Sequence, residues 1–239
     1  EMKMTGSVNV KSNDRKGLIR NIVIKESPVF KTFLITRIGQ SKLKVLDNRK
    51  FNWQILPEKE KIGEFDTQKA ETEMYGRKWF AWFTSEIPIQ EGPYKFHGLP
   101  GLIVKIEDQT KSHLYELKAI KKLSEAEIKN IDPNKNFVMD FGDNLEMDLA
   151  KYKKFFMESR IDPNKSIRAV LAQSEMAEIN IDGKMMDVAE YLRNREKQQK
   201  EKIAKDNNII ELDLLKQSEF FYLHGNLINF AKVWNFGEV

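Results

Sequence analysis

The chain carries three histidines and no cysteine, and these two counts limit its chemistry first. Without cysteine there is no disulfide, no thiolate metal site, no iron–sulfur cluster and no cysteine nucleophile. His97, His113 and His224 match no ligand spacing such as His-x-His or His-Glu-x-x-His, so no metal site is expected. His97 stands just before a tight Gly/Pro turn, where an imidazole could carry a proton. The plainer reading, a loop histidine that is hydrogen-bonded or exposed, is preferred. No Gly-x-Ser-x-Gly elbow occurs, and Ser85 lacks motif context. Glu86, Glu91, Glu107 and Asp108 supply carboxylates of the kind a glycosidase sets across a cleft. Carboxylates are so abundant here that their type singles none out. No phosphate-cradling glycine loop appears, since Pro100 removes an amide such a loop would use. No catalytic residue is assigned and no cofactor is expected; enzymatic activity is left open, with a non-enzymatic role preferred.

The denser candidate is aromatic. Trp79, Phe80, Trp82 and Phe83 crowd one strand-like run, and Tyr94 and Phe96 follow in the next loop. Alternation puts Trp79, Ala81 and Phe83 on one side and Phe80 and Trp82 on the other. Such a strand is either buried on both faces or lines an apolar groove. In the second case these six rings would hold an apolar or peptide ligand. Pro88, Gly92-Pro93 and Gly98-Leu99-Pro100-Gly101 punctuate the loop, and Leu102-Ile103 lead back into a strand.

Residues 1–120 position these groups as a series of strands: Val8–Val10, Leu18–Lys25, Phe30–Ile38, Leu43–Leu46, Phe51–Leu56 stopping at Pro57, Thr67–Met74, Lys78–Thr84, Leu102–Glu107 and Leu114–Ile120. Tyr75-Gly76-Arg77 and Asp108–His113 read as hairpin turns. From residue 121 the pattern turns helical. Ser124 with Glu127 forms a capping box before Glu125–Asn130. Leu145–Ser159 is amphipathic, and Asp162-Pro163 opens a helix to about Gln173. Met176–Ile181 reads as a strand ending at Asp182-Gly183. Met185–Asp206 is a long helix with a thin apolar side, expected to be exposed over much of its length. The pentapeptide Ile-Asp-Pro-Asn-Lys, at 131–135 and 161–165, marks two similar turns rather than a repeat, because its flanks diverge. The expected architecture is α+β in one domain, 1–217, β-rich over 1–120 and helix-rich over 121–217. A curved antiparallel β-sheet, or half-open barrel, forms its first part. Residues 218–239 are an aromatic-rich tail, either a docking strand pair or a stretch foreign to the natural chain.

At 239 residues and 28.0 kDa the chain can bury a core unaided. Its 40 basic and 36 acidic residues are interspersed, and a net charge of +4 is too diluted to indicate nucleic acid. No apolar run approaches the roughly 18 residues a membrane helix needs. The first residue is Glu1 rather than methionine, so a processed N-terminus, with a secretory signal upstream, is expected.

Gly98-Leu99-Pro100-Gly101-Leu102-Ile103 resembles the signature of the GLPGLI proteins of Bacteroidota. The resemblance extends to Ile62-Gly63-Glu64-Phe65-Asp66-Thr67-Gln68-Lys69-Ala70, with Thr67 where many members carry cysteine. It continues through Gly76-Arg77, Ala81-Trp82-Phe83, Ile87-Pro88 and Gly92-Pro93 to Asn208-Ile209-Ile210-Glu211-Leu212, in the family's order. This similarity implies an exported envelope protein, periplasmic or at the cell surface, often encoded near outer-membrane transporters. It supplies no catalytic residues. The strand pattern also resembles the half-open barrels of periplasmic lipoprotein carriers, a likeness of fold that licenses no function. Two roles follow as expectations: a non-enzymatic carrier of an apolar ligand or peptide, or an accessory subunit of an outer-membrane transporter or assembly. A carboxylate hydrolase is the weaker alternative.

Overall fold

The computed structural model describes residues 21–26, 30–39, 41–122, 124, 144–174, 178–181 and 183–216. The expected strand at Val8–Val10, the capping-box helix after Ser124, the first pentapeptide and the tail at 218–239 lie outside these residues.

The chain is α+β. Strands β1 (Ile22–Glu26), β2 (Lys31–Ile38) and β3 (Ser41–Asp47) form successive antiparallel pairs. Strands β4 (Gln54–Ile62), β5 (Phe65–Met74), β6 (Arg77–Thr84), β7 (Leu102–Asp108) and β8 (Leu114–Glu116) make a five-stranded antiparallel sheet of consecutive neighbours. The turns expected at Tyr75-Gly76 and at 108–113 close two of its hairpins, with Tyr75 and Gly76 both at positive φ. Among the described residues no sheet closes into a barrel.

Four expectations need correction. Pro57 does not end its strand. It lies inside β4, an edge strand, where the register to β5 shifts between Ile55 and Lys59. An edge strand at a bulge has no ladder bond there for proline to remove. The strand expected over Leu114–Ile120 is cut to Leu114–Glu116. Leu145 does not open a helix either. Residues Leu145–Asp148 form β9, which pairs in parallel with β3 and completes a four-stranded sheet. Asp148 then caps helix α1 (Leu149–Ile161), accepting from Lys151 N–H at 2.8 Å. Helix α2 (Lys165–Ser174) follows. Met185–Asp206 is not one helix, because Gly183, at φ +88°, turns β10 (Glu178–Ile181) into β11 (Lys184–Asp187). Asp187 caps α3 (Val188–Lys205), which buries none of its residues, in line with its thin apolar side.

Two apolar clusters result. One lies on the inner face of the five-stranded sheet, around Trp79, Ala81, Phe83 and Ile106, with Phe96 and Leu99 packed on it from the loop before β7. The other joins Leu34, Leu43 and Val45 of the four-stranded sheet to Tyr152 of α1 and to Leu214.

Candidate functional site

Alternation along β6 divides the six candidate aromatic residues. Trp79 and Phe83 face inward and are buried. Phe96 meets Trp79 edge-on at 4.7 Å between centroids, and Tyr94 lies 6.4 Å from Phe96. The structure therefore brings Trp79, Phe83, Tyr94 and Phe96 together. Phe80 and Trp82 lie on the opposite face. There the ammonium groups of Lys69 and Lys78 stand 4.8 and 5.5 Å from the Phe80 ring. Lys105 stands 4.3 Å from Trp82. These cation–π contacts leave Trp82 only 7% exposed.

The signature loop is held by its backbone. Gly98 has φ +92°, a region that favours glycine. Its N–H donates to Gln90 O at 3.0 Å. The carbonyl before it, His97 O, accepts from Trp53 Nε1 at 2.8 Å. Leu99 is buried, and Pro100 fixes the turn. Gly101 passes so close to β6 that a Cβ there would lie 2.0 Å from Thr84 O. Leu102 and Ile103 then pair with Thr84 and Phe83. His97 stacks on Phe30 at 4.7 Å, and its Nδ1 lies 2.9 Å from Lys95 O. Burial lowers its pKa below the ordinary imidazole value.

Beneath this loop lies a charge cluster that the sequence did not suggest. Lys95 Nζ donates to Asp47 Oδ2 at 2.8 Å and to Glu211 Oε1 at 2.6 Å. All three side chains are 3% exposed or less. Arg49 donates to Asp47 Oδ1 at 2.9 Å, to Asp213 Oδ2 at 2.7 Å and to Glu211. Its guanidinium lies 4.4 Å over the Tyr75 ring. The Tyr94 hydroxyl donates to Glu211. Burial alone would raise the Asp47 carboxyl, but the Arg49 hydrogen bond and the charges of Lys95 and Arg49 hold it far below the carboxylate range. Burial, reinforced by Asp47 and Glu211, pushes the Tyr75 phenol well up. Burial and Glu211 do the same to Tyr94. Both phenols keep their protons. Each carboxylate meets a cation, and Asp213 Oδ1 alone in the cluster is buried without a hydrogen-bond partner. The cluster joins the end of β3, the signature loop and the segment after α3.

A second node repeats this clasp. Arg77 donates to Asp108 Oδ2 at 3.0 Å, to Ile209 O at 2.8 Å, to Ile210 O at 3.2 Å and to Asn208 Oδ1 at 2.8 Å. Asp108 also accepts from the Thr110 hydroxyl and from His113 N–H at 2.7 Å. Burial would raise the Asp108 pKa, but those two donors and then Arg77 bring it down to about 2. A carboxylate whose folded pKa lies below its unfolded value stabilises the fold above the unfolded value, and loses that effect as pH falls. Unfolding measured between pH 4 and 2 is therefore expected to show a decline that Asp108→Asn makes shallower, the remainder coming from carboxylates such as Asp47; an unchanged decline in that variant would contradict the assignment.

Among the described residues, no group of three His, Asp or Glu is placed to hold a metal ion, and no helix is long and apolar enough to cross a membrane. The block Asn208–Leu212 thus reaches both buried ionic nodes, and Gly76-Arg77 supplies Arg77 to the second. Glu211 was detectable in principle, as a lone acid between Ile209-Ile210 and Leu212.

A family described as "Protein of unknown function (Porph_ging)" matches residues 43–105, a stretch holding Asp47, Arg49, the aromatic strand and the signature loop. No curated protein matches the chain. PNGF-II in space group C2 is similar at 19% identity and a TM-score of 0.38, over 55% of this chain and 23% of that one. In space group P21 the figures are 18%, 0.40, 60% and 26%. The chain spans about a quarter of the length of these structures, and its similarity of known description is to a domain of unknown function.

Proposed function

We propose that this is a non-enzymatic binding protein of the cell envelope, of the GLPGLI kind, which takes an apolar or peptide ligand. The observation that carries this reading is the outer face of β6. Phe80 and Trp82 are two large rings left outside the inner cluster, and their cover is the side chains of Lys69, Lys78 and Lys105. Lysine stems cover apolar surface while their heads stay hydrated, and they swing aside at low cost. A separate half-open cavity of about 240 Å³ is lined by both apolar and charged residues, Ile62, Phe65, Val104 and Ile120 with Glu116 and Lys118.

The test is native mass spectrometry of protein taken gently from its own envelope fraction, repeated after denaturation. A small mass present at first and lost on denaturation is expected. In Phe80→Ala and Trp82→Ala its occupancy should fall about tenfold, the worth of one aromatic contact. A bare monomer, or unchanged occupancy in both variants, would sink the reading.

A second reading, an accessory subunit of an outer-membrane transporter or assembly, is supported by Ile161, Val170 and Met185, exposed by 69%, 53% and 58% in the helical part. Crosslinking in the native membrane should then recover a heteromeric product; recovery of monomer alone would count against it.

A further inference from the structure

Residues 208–214 carry the last block of the sequence pattern, yet they form no strand. Among the described residues, one backbone hydrogen bond ties them to a sheet, Asp213 N–H to Tyr75 O at 3.3 Å. Arg77 instead grips the carbonyls of Ile209 and Ile210, and Arg49 and Lys95 grip Glu211. Ionic contacts of this kind add little net stability, because separation lets water solvate each charge again. What remains is aliphatic. Ile210 packs on the inner aromatic cluster, while Ile209 and Leu214 pack on the cluster of the four-stranded sheet. Neither sheet needs these residues to complete its ladders.

We propose that residues 208–214 are a strap that detaches as a unit while both sheets stay folded, and that its release uncovers the Tyr75 and Tyr94 side of the inner aromatic cluster. Ile210, stacked on that cluster, and Glu211, bonded to the Tyr94 hydroxyl, leave together. The strap is then a gate over the inner rings, independent of whether the outer face of β6 binds anything.

Native-state hydrogen exchange on the full chain, without ligand, tests this directly. The amides of Asp213 and Leu214 should exchange at least tenfold faster than those of Ala81 and Trp82 in β6. In Glu211→Gln the strap amides should accelerate further, with β6 unchanged. A ratio below tenfold in the parent chain would overturn the proposal. So would a Glu211→Gln variant in which β6 accelerates in step with the strap, since that marks opening of the whole fold. The ligand experiment on Phe80 and Trp82 can fail without affecting either result.

Discussion

Gly101→Val is expected to abolish soluble, folded protein. A Cβ at this position would lie 2.0 Å from Thr84 O and 2.7 Å from its carbonyl carbon. Those are backbone atoms at the end of β6, paired across to Leu102, and they have no rotamer by which to move away. Relief would separate β6 from β7 where the sheet leaves the signature loop. A cost of about 4 kcal/mol or more is in the range reserved for such steric failures. That is a large part of the roughly 5–15 kcal/mol that holds a typical domain together. Gly98→Ala is the internal control. Gly98 also has positive φ, but its nearest neighbour to a new Cβ is Trp53 Nε1 at 4.0 Å. Only backbone strain of about 1–2 kcal/mol is added there. Soluble yield and the urea midpoint compare the two; equal midpoints would refute the close approach at Gly101.

Lys95→Met should have the next largest effect. The replacement keeps an unbranched side chain and removes the charge that Asp47 and Glu211 share. Arg49 alone then faces both buried carboxylates and Asp213. Removing one partner from a buried ion pair costs about 3–5 kcal/mol. Glu211→Gln should cost less, because a strap that can detach carries its misfit into water, whereas Asp47 is fixed at the end of β3. Urea unfolding of the two variants decides this ranking; a Glu211→Gln loss equal to or above that of Lys95→Met would contradict it.

Most of the strand order up to Thr84 could be read along the chain, because alternation and the Tyr75-Gly76 turn are local signals. The aromatic loop could be read for the same reason, with its glycines and prolines marking each change of direction. One error arose because the pairing partner is remote. Leu145–Asp148 shares its apolar spacing with the helix behind it, and only β3, about 100 positions earlier, makes it a strand. Pro57 is a strand breaker by composition and a tolerated edge residue by topology. The charge cluster was the largest omission. Asp47 merely follows the strand read at Leu43–Leu46, and Lys95 stands between Tyr94 and Phe96 in the aromatic loop. Nothing local separates a buried lysine from a solvated one when its two acids stand 48 and 116 positions away. Splitting the aromatic set into inner and outer rings needed the location of the core, which alternation alone does not give.

The parallel pairing of β3 with β9 has a consequence for how the molecule comes into being. The five-stranded sheet is built from neighbours in chain order and can be assembled as its strands leave the ribosome. The four-stranded sheet cannot, because its last member is made long after the first three. Asp47 and Arg49 wait longer still, for a carboxylate 162 positions downstream of Arg49. Contacts at such separation close slowly, since chain entropy is lost before they form. Until then Leu43 and Val45 have an open side and Lys95 lacks one of its two acids. The nascent chain is thus a finished β-meander carrying an unfinished companion, and the hazard of wrong association falls on the N-terminal strands, not on the aromatic sheet.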